Sequence, residues 1–171
     1  MKKPSRKIII GVMGGGEICQ KPGYERDLEM ASELGSLIAK EGWVLLTGGR
    51  KVGIMNAASK GAKEAGGLTV GILPGRNFSQ TSDYVDIQIL TGMEEARNNI
   101  NVLSSDVVVV CKGEAGTISE LALALKMKKI ILLNFEIGEL FKEYLGKNLF
   151  KAKTPQEAIE LIKNLYLHNL K

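Results

Sequence analysis

Three glycine-rich stretches are the parts of this sequence whose composition and spacing are best suited to chemistry. They are residues 11–16 (GVMGGG), 47–53 (TGGRKVG) and 113–117 (GEAGT). Glycine lets the backbone approach an anion closely, and a helix that follows adds free N–H groups and a positive dipole. Any tight strand-to-helix turn can use glycine, so three purely structural turns remain the alternative. Together the stretches predict a site for a small phosphorylated ligand.

The glycine-rich stretches belong to an alternating series of predicted strands and helices. Runs of apolar residues predict strands at 7–13, 43–47, 68–73, 84–90, 106–111 and 129–134. Apolar residues at helical spacing and the stops around them predict helices at 24–41, 53–65, 92–104, 117–128 and 154–169. We expect a polar loop at 76–84, a sheet that is closed by strand 129–134, and helical covering after it.

This alternation predicts an α/β fold: a doubly wound, mostly parallel, Rossmann-like sheet with helices on both faces. The run DVVVVC at 106–111 is apolar on both faces, as expected for a central parallel strand. In such sheets ligands bind outside the carboxyl ends of the strands. All three glycine-rich stretches follow predicted strands at that edge, so one common site is expected there.

Length and charge narrow the classes of protein that this chain could belong to. Its 171 residues correspond to one domain, so we expect a single phosphate-binding domain over residues 1–171. The net charge of +4 favours small anionic ligands but is a weak argument for nucleic acid, which is not an expected partner. No apolar stretch reaches the length of a membrane span, and no signal segment follows the basic start, so a cytoplasmic location is expected.

The sequence does not predict a metal site. The single histidine, His168, has no nearby partners of the kind that bind zinc. The two cysteines, Cys19 and Cys111, match no metal-binding spacing and do not make a disulfide framework. Free thiols are the expected state, as in the cytosol.

Three motifs resemble one known family. Residues 47–49 (TGG) followed by 53–55 (GIM) resemble its GGxxxGxM turn, and residues 116–120 (GTISE) resemble the second half of its PGGxGTxxE signature. Residues 91–93 (TGM) with Arg97 and Asn98 resemble the upstream helix that carries the motif arginine. The chain thus resembles the Lonely-guy (LOG), or "lysine decarboxylase-like", group over about residues 7–134. It is most similar to the branch of uncharacterised bacterial proteins and molybdenum-cofactor carrier proteins.

This resemblance implies a Rossmann-like fold and a homo-oligomer, usually a dimer or a tetramer. Active LOG members are phosphoribohydrolases, which split a nucleoside 5′-monophosphate into a base and ribose 5-phosphate. No cofactor is required for that reaction, although a nucleotide or a molybdopterin-type ligand would fit the same loops. The residues expected to bind the phosphorylated ligand are Gly14, Gly15, Gly48, Gly49, Gly53, Met55, Gly113, Gly116 and Thr117.

The resemblance also assigns roles to Arg97 and Glu120, the expected catalytic pair. Arg97 would hold the phosphate or ribose, for which its fixed fork of donors is suited. Glu120 would contact the ribose and stabilise a cationic, oxocarbenium-like transition state. Plainer alternatives exist: Thr117 and Glu120 have the spacing of a capping box with Thr117 as the N-cap. Arg97 could likewise pair with Glu94 or Glu95 on its own helix.

The sequence departs from the family signature at two places, which keeps several functions open. Beside the motif arginine, residues 94–97 (EEAR) lack the histidine that LOG enzymes usually have there. Lys112, Gly113 and Glu114 stand where the family has Pro-Gly-Gly. A carboxylate at Glu114 would repel phosphate unless Lys112 offset it or the side chain pointed to solvent. The alternatives are therefore a phosphoribohydrolase, a carrier of a phosphorylated cofactor such as the molybdenum cofactor, and a nucleotide-responsive interaction module without turnover.

Overall fold

A seven-stranded sheet forms the centre of the protein in the computed structural model, which describes residues 6–16, 23–126 and 129–167. All of its strand pairs are parallel. The elements are, in chain order, β1 (Ile9–Met13), α1 (Tyr24–Lys40), β2 (Val44–Thr47), α2 (Gly53–Glu64), β3 (Leu68–Leu73), β4 (Ile87–Leu90), a 3₁₀ helix (Glu94–Arg97), α3 (Asn98–Ser104), β5 (Val107–Val110), α4 (Ala115–Leu125), β6 (Lys129–Leu133), α5 (Glu139–Lys142), β7 (Leu149–Ala152) and α6 (Pro155–Leu167). The predicted Rossmann-like α/β fold is confirmed.

The order of the strands determines where a ligand site can form. It is β4-β3-β2-β1-β5-β6-β7, so the chain builds the sheet in one direction from β1 to β4 and in the other from β5 to β7. The direction reverses between β1 and β5, where the loops that leave the two strands diverge to opposite faces. Doubly wound sheets bind ligands at such a switch point, outside the carboxyl ends of the strands.

Two hydrophobic cores lie on the two faces of the sheet. One contains apolar side chains of α1, α2 and α6, and the other contains side chains of α3 and α4. Strand β5 contributes to both, because Val107 and Val109 face the first core and Val108 and Val110 face the second. This arrangement confirms the interpretation of the run at 106–111 as a central strand buried on both faces.

Several predicted boundaries were wrong, and the largest error concerns the edge of the sheet. The strand at 129–134 does not close the sheet, because β7 pairs with β6 in parallel and forms the edge. β7 has only four residues (LFKA) and an exposed lysine, so its pattern does not stand out from a helical or irregular segment. The strand predicted at 84–90 begins only at Ile87.

The helix predicted at 92–104 begins later, after a 3₁₀ turn. Gly92 and Glu94 have φ values of 61° and 47°, which a right-handed α-helix cannot include. The helix predicted at 117–128 begins two residues earlier than expected, at Ala115, while residues 127 and 128 lie outside the described residues. The end predicted for the last helix, residues 168 and 169, lies outside them as well. None of the helices in the described ranges combines the length and the apolar character that a membrane crossing requires.

Candidate functional site

A cavity of about 1070 Å³ opens at the carboxyl edge of the sheet, at the switch point between β1 and β5. Its walls come from the loops after β1 and β2, the 3₁₀ helix and the first turns of α4. The cavity is at the upper end of the size range of small-molecule sites. All three glycine-rich stretches therefore meet at one place, as the sequence predicted.

The glycine-rich loops contact one another through their backbones. The N–H of Gly15 donates to the carbonyl of Lys112 at 3.0 Å, and the N–H of Ile54 donates to the carbonyl of Gly15 at 3.1 Å. Gly53 has a φ of 55°, and a Cβ on it would lie 2.2 Å from the oxygen of Gly15. A Cβ on Gly113 would lie 2.1 Å from Thr117 Oγ1. The loops thus come this close only because side chains are absent.

The first turn of α4 presents free backbone donors to the cavity. The helix begins at Ala115 with Glu114 as its N-cap, and the Glu114 side chain makes no capping hydrogen bond. The first N–H with an intrahelical acceptor is that of Ile118, which donates to the carbonyl of Glu114 at 3.0 Å. The preceding N–H groups, including those of Gly116 and Thr117, have no acceptor within the helix. This turn has the geometry and the dipole of an anion site.

The capping-box interpretation of Thr117 and Glu120 is wrong. The helix starts upstream of Thr117, which is its third residue and is buried. Glu120 does not reach back to Thr117, because its Oε1 accepts a hydrogen bond from Asn101 Nδ2 at 2.8 Å. Glu114 takes the N-cap position with an extended backbone (φ −111°, ψ −159°), so an acidic residue precedes the helix.

Arg97 is the last residue of the 3₁₀ helix, and its side chain lies against Gly48, just after β2. Only 7% of its surface is exposed. A Cβ on Gly48 would lie 2.4 Å from Arg97 Nη1 and 2.6 Å from Met55 Sδ, so the glycine makes room for the guanidinium. No described carboxylate forms a salt bridge with Arg97 within 4.0 Å, which makes the proposed pairing with Glu94 or Glu95 wrong. Burial lowers the pKa of Arg97, and the negative charges of Glu120 and Glu95 oppose that shift.

Glu120 lies in the same cavity and is 6% exposed. Burial raises the pKa of its carboxyl to about 7, although the hydrogen bond from Asn101 and the charge of Arg97 act in the opposite direction. A carboxyl with such a pKa exchanges a proton near neutral pH. It can therefore face a ligand either as a carboxylate or as a hydrogen-bond donor.

The residues predicted for the site fall into two groups. Those that line the cavity are Gly14, Gly15, Gly48, Met55, Arg97, Gly116, Thr117 and Glu120. Gly49, Gly53 and Gly113 are not among the lining residues and support the loops from behind. The sequence reasoning missed Arg50, Glu95 and Lys126, which also line the cavity. Arg50 stands inside the second glycine-rich stretch, so its position was a signal that could have been used.

The departure from the signature at residues 112–114 also has a structural explanation. Lys112 does not line the cavity, because its Nζ lies 3.5 Å from Oδ2 of the buried Asp27 on α1. Its charge is thus directed to a carboxylate behind the loop. Glu114 is exposed and lies at the cavity wall, where its carboxylate adds negative charge close to the first turn of α4.

The described residues offer no cluster of metal ligands. No group of three or more His, Cys, Asp or Glu side chains in the ranges 6–16, 23–126 and 129–167 could hold a metal ion. Burial raises the pKa of the Cys111 thiol to about 12, so this cysteine stays protonated at neutral pH. Cys19 and His168 lie outside the described residues.

The fold and the cavity define a Rossmann-like α/β protein with a glycine-lined site at its topological switch point. The chain belongs to the SLOG cluster4 family, whose model matches residues 7–159. The resemblance to the LOG group is therefore confirmed.

Solved structures and a curated relative extend this comparison. The molybdenum cofactor binding protein from Rippkaea orientalis is 55% identical, with a TM-score of 0.88 over 95% of this chain and 99% of that chain. The Moco carrier protein from Chlamydomonas reinhardtii is 46% identical, with a TM-score of 0.86 over 95% and 99% of the two chains. The cytokinin riboside 5′-monophosphate phosphoribohydrolase of Mycobacterium tuberculosis is 36% identical over 102 residues, which are 58% of this chain and 54% of that protein.

Proposed function

We propose that this protein binds and carries the molybdenum cofactor, a phosphorylated pterin that holds molybdenum. The observation that carries the proposal is the cavity itself, which is lined both by the first turn of α4, without a side-chain cap, and by a buried arginine, Arg97, that has no ion-pair partner among the described residues. The relatives named as a molybdenum cofactor binding protein and a Moco carrier protein are similar over almost their whole length. In this proposal the molybdenum cofactor is cargo, held by non-covalent contacts.

The phosphate of the cargo would bind at the first turn of α4. The N–H groups of Gly116 and Thr117 supply donors there, and the helix dipole favours negative charge. Gly116 leaves the turn open, since a Cβ on it would meet only one described atom within 4 Å, Glu95 Oε2 at 3.9 Å. The rest of the cavity has room for the pterin, and the exposed amide of Asn99 at its wall offers polar contacts, whereas the amide nitrogen of Asn98 donates to Ser119 Oγ at 2.9 Å.

The substitution Gly116→Asp tests this assignment without removing a structural contact. An aspartate fits the space beside Gly116, and the helix dipole favours a negative charge in the first turn, although the carboxylate of Glu95 lies close enough to repel it. It should nevertheless repel a phosphate from the same N–H groups, and we expect the affinity for the cofactor to fall at least about tenfold. Gly116→Asn is the matched control, which adds the same bulk without the charge.

The carrier function itself is tested by molybdenum content. Protein purified from a host that makes the cofactor should contain molybdenum, phosphate and pterin in a constant ratio, measured by mass spectrometry under native conditions and by elemental analysis. Gly116→Asp should lose all three together, and Gly116→Asn should keep most of them. Wild-type protein that is purified without molybdenum and does not take up added cofactor would exclude the proposal.

A phosphoribohydrolase is the second candidate, and the proximity of Arg97 and Glu120 favours it. The carboxyl of Glu120, with a pKa of about 7, faces the cavity beside the guanidinium, where it could stabilise positive charge on a sugar. Release of base from adenosine, guanosine or inosine monophosphate tests this function. Arg97→Ala should raise KM, and Glu120→Gln should lower kcat with little change in KM. No release above background, with ligand binding intact, would leave only the carrier.

We further propose that the protein is a cytoplasmic homo-oligomer, a dimer or a tetramer, with the cavity near its interface. Exposed apolar side chains on the α3–α4 side of the sheet support this, among them Leu103 and Ile118, which are 50% and 45% exposed. Light scattering at micromolar concentration should give a mass of at least two chains, and Leu103→Lys should reduce it. A monomer mass for the wild type would refute the proposal.

A further inference from the structure

The cavity contains a second group of positive charges, at the carboxyl end of β2. Arg50 and Arg97 both line this part of the cavity. Among the residues that the structure describes, neither has a carboxylate within 4.0 Å of its guanidinium nitrogens. The Nε atom of each arginine is buried and has no hydrogen-bond partner in the described part of the chain. Two guanidinium groups thus share a wall without pairing with any anion of the described residues.

Both side chains lie against the backbone of glycine-rich loops. Arg97 lies against Gly48, and Arg50 approaches the first glycine-rich loop, where a Cβ on Gly16 would lie 3.6 Å from Arg50 Nη1. The backbone of Arg50 is fixed by an antiparallel bridge to Thr81. Neither arginine is therefore a loose surface side chain that happens to point into the cavity.

The two charges affect each other. Burial is the main reason why the pKa of Arg97 is lowered; the charges of Glu120 and Glu95 oppose that shift, and repulsion by Arg50 adds to it as the smallest contribution. Two cations held close together in a partly dehydrated place cost free energy, and an anion between them removes that cost. Guanidinium forks also bind the oxygens of phosphate-like groups in pairs, which makes an oxyanion the expected partner.

This position is separate from the first turn of α4. Strand β1 lies between β2 and β5, and neighbouring strands are about 4.8 Å apart, so the ends of β2 and β5 are about 10 Å apart. Because Arg97 Nη1 lies against Gly48, after β2, an anion held there by Arg50 and Arg97 is expected at a different position from one held by the N–H groups of Gly116 and Thr117, after β5.

We infer that Arg50 and Arg97 bind a second anionic group, so that the cavity selects small molecules with two anionic groups about 10 Å apart. This inference rests on the proposed function, which supplies the first anion. In a phosphorylated cofactor that carries molybdenum, the phosphate and the oxygen-bearing metal centre are two such groups. Arg50 is then a specificity-determining residue that distinguishes this cargo from a ligand with a single phosphate.

Tungstate, a tetrahedral dianion with strong anomalous scattering, is a suitable probe of both positions. Crystals of the wild type soaked in tungstate should show one anomalous peak at Gly116 and Thr117 and a second between Arg50 and Arg97. Arg50→Gln should lose the second peak alone. Arg76→Gln is the matched control, since Arg76 is exposed and does not line the cavity, and it should keep both peaks.

Titration calorimetry gives the same test in solution. The wild type should bind two tungstate ions, and Arg50→Gln should weaken the second by about 10- to 100-fold, the usual effect of losing a charge-assisted contact. Arg50→Lys keeps the charge without the fork and should give an intermediate affinity. A single peak at α4, or a second peak that survives Arg50→Gln, would overturn the inference.

The two proposals can fail separately. If both tungstate positions fill but the protein never contains molybdenum, carriage is wrong and the two-anion site stands. If the protein contains molybdenum, but the wild type itself shows only the tungstate position at α4 and Arg50→Gln carries as much molybdenum as the wild type, carriage stands and the role of Arg50 is wrong.

Discussion

The substitution Glu120→Gln should stabilise the protein at and above neutral pH. The folded pKa of Glu120 is about 7 against 4.5 for the ordinary carboxyl, so the folded state holds an extra proton between these pH values. Stability is therefore full below about pH 4.5 and falls as the pH rises toward 7, because the unfolded chain gains free energy by ionising this carboxyl while the folded state keeps it protonated. At about 1.36 kcal/mol per pH unit, the loss reaches about 3 kcal/mol above pH 7.

Glutamine avoids that loss because it does not ionise. It can keep the hydrogen bond from Asn101, since its amide oxygen accepts as the carboxylate oxygen does. The substitution also removes the attraction between the ionised Glu120 and Arg97, which reduces the gain in stability. We therefore expect Glu120→Gln to be more stable than the wild type by about 1–3 kcal/mol at pH 8, and about equally stable at pH 4.5.

Urea unfolding of both proteins at several pH values between 4.5 and 8.5 measures this difference. Glu29→Gln is a suitable control, because Glu29 is exposed on α1 and its replacement should leave the pH dependence unchanged. A difference between wild type and Glu120→Gln that does not vary with pH would refute the reasoning. So would a variant that is less stable than the wild type at pH 8.

Three other substitutions test the packing around the same side chains. Gly48→Ala should weaken the binding of a phosphorylated ligand about tenfold with little loss of stability, because the new Cβ displaces the guanidinium of Arg97; isothermal titration and a melting curve measure the two effects. Gly49→Ala should instead cost about 1–3 kcal/mol of stability, measured by urea unfolding, because its φ is 71° and its Cβ would meet the backbone of β3 at 2.9 Å. Asn101→Ala removes the hydrogen bond that lowers the pKa of Glu120, so this pKa should rise and the loss of stability should continue to higher pH than in the wild type. Urea unfolding that shows the same pH dependence for both proteins would contradict this.

The features that could be predicted from the sequence are those with a local cause. A run of four valines is recognisable as a strand buried on both faces, and glycines at strand ends indicate tight turns. Since parallel strands align their carboxyl ends, the meeting of the three glycine-rich loops followed from topology alone. Arg97 and Glu120 were identified by motif, and both lie in the cavity.

The features that could not be predicted depend on contacts between distant residues. The edge strand β7 exists because β6 offers it a hydrogen-bonding partner, and its own four residues carry little signal. The partner of Glu120 is Asn101 on another helix, so the spacing to Thr117 gave the wrong answer. Arg50 lies in a segment whose local pattern indicates only a glycine-rich turn. Its relevance follows from the fold, which brings its charge close to that of Arg97 in the cavity.

The interlocked backbones of the glycine-rich loops affect how this fold can change its chemistry. Because the loops contact one another through their backbones at Gly15, Gly53 and Gly113, the shape of the cavity depends little on the side chains that line it. Residues such as Arg50 and Glu114 can then be exchanged one at a time while the scaffold stays intact. A carrier and a hydrolase can in this way descend from one ancestor through a few changes of charge, as the similarity to both kinds of protein suggests.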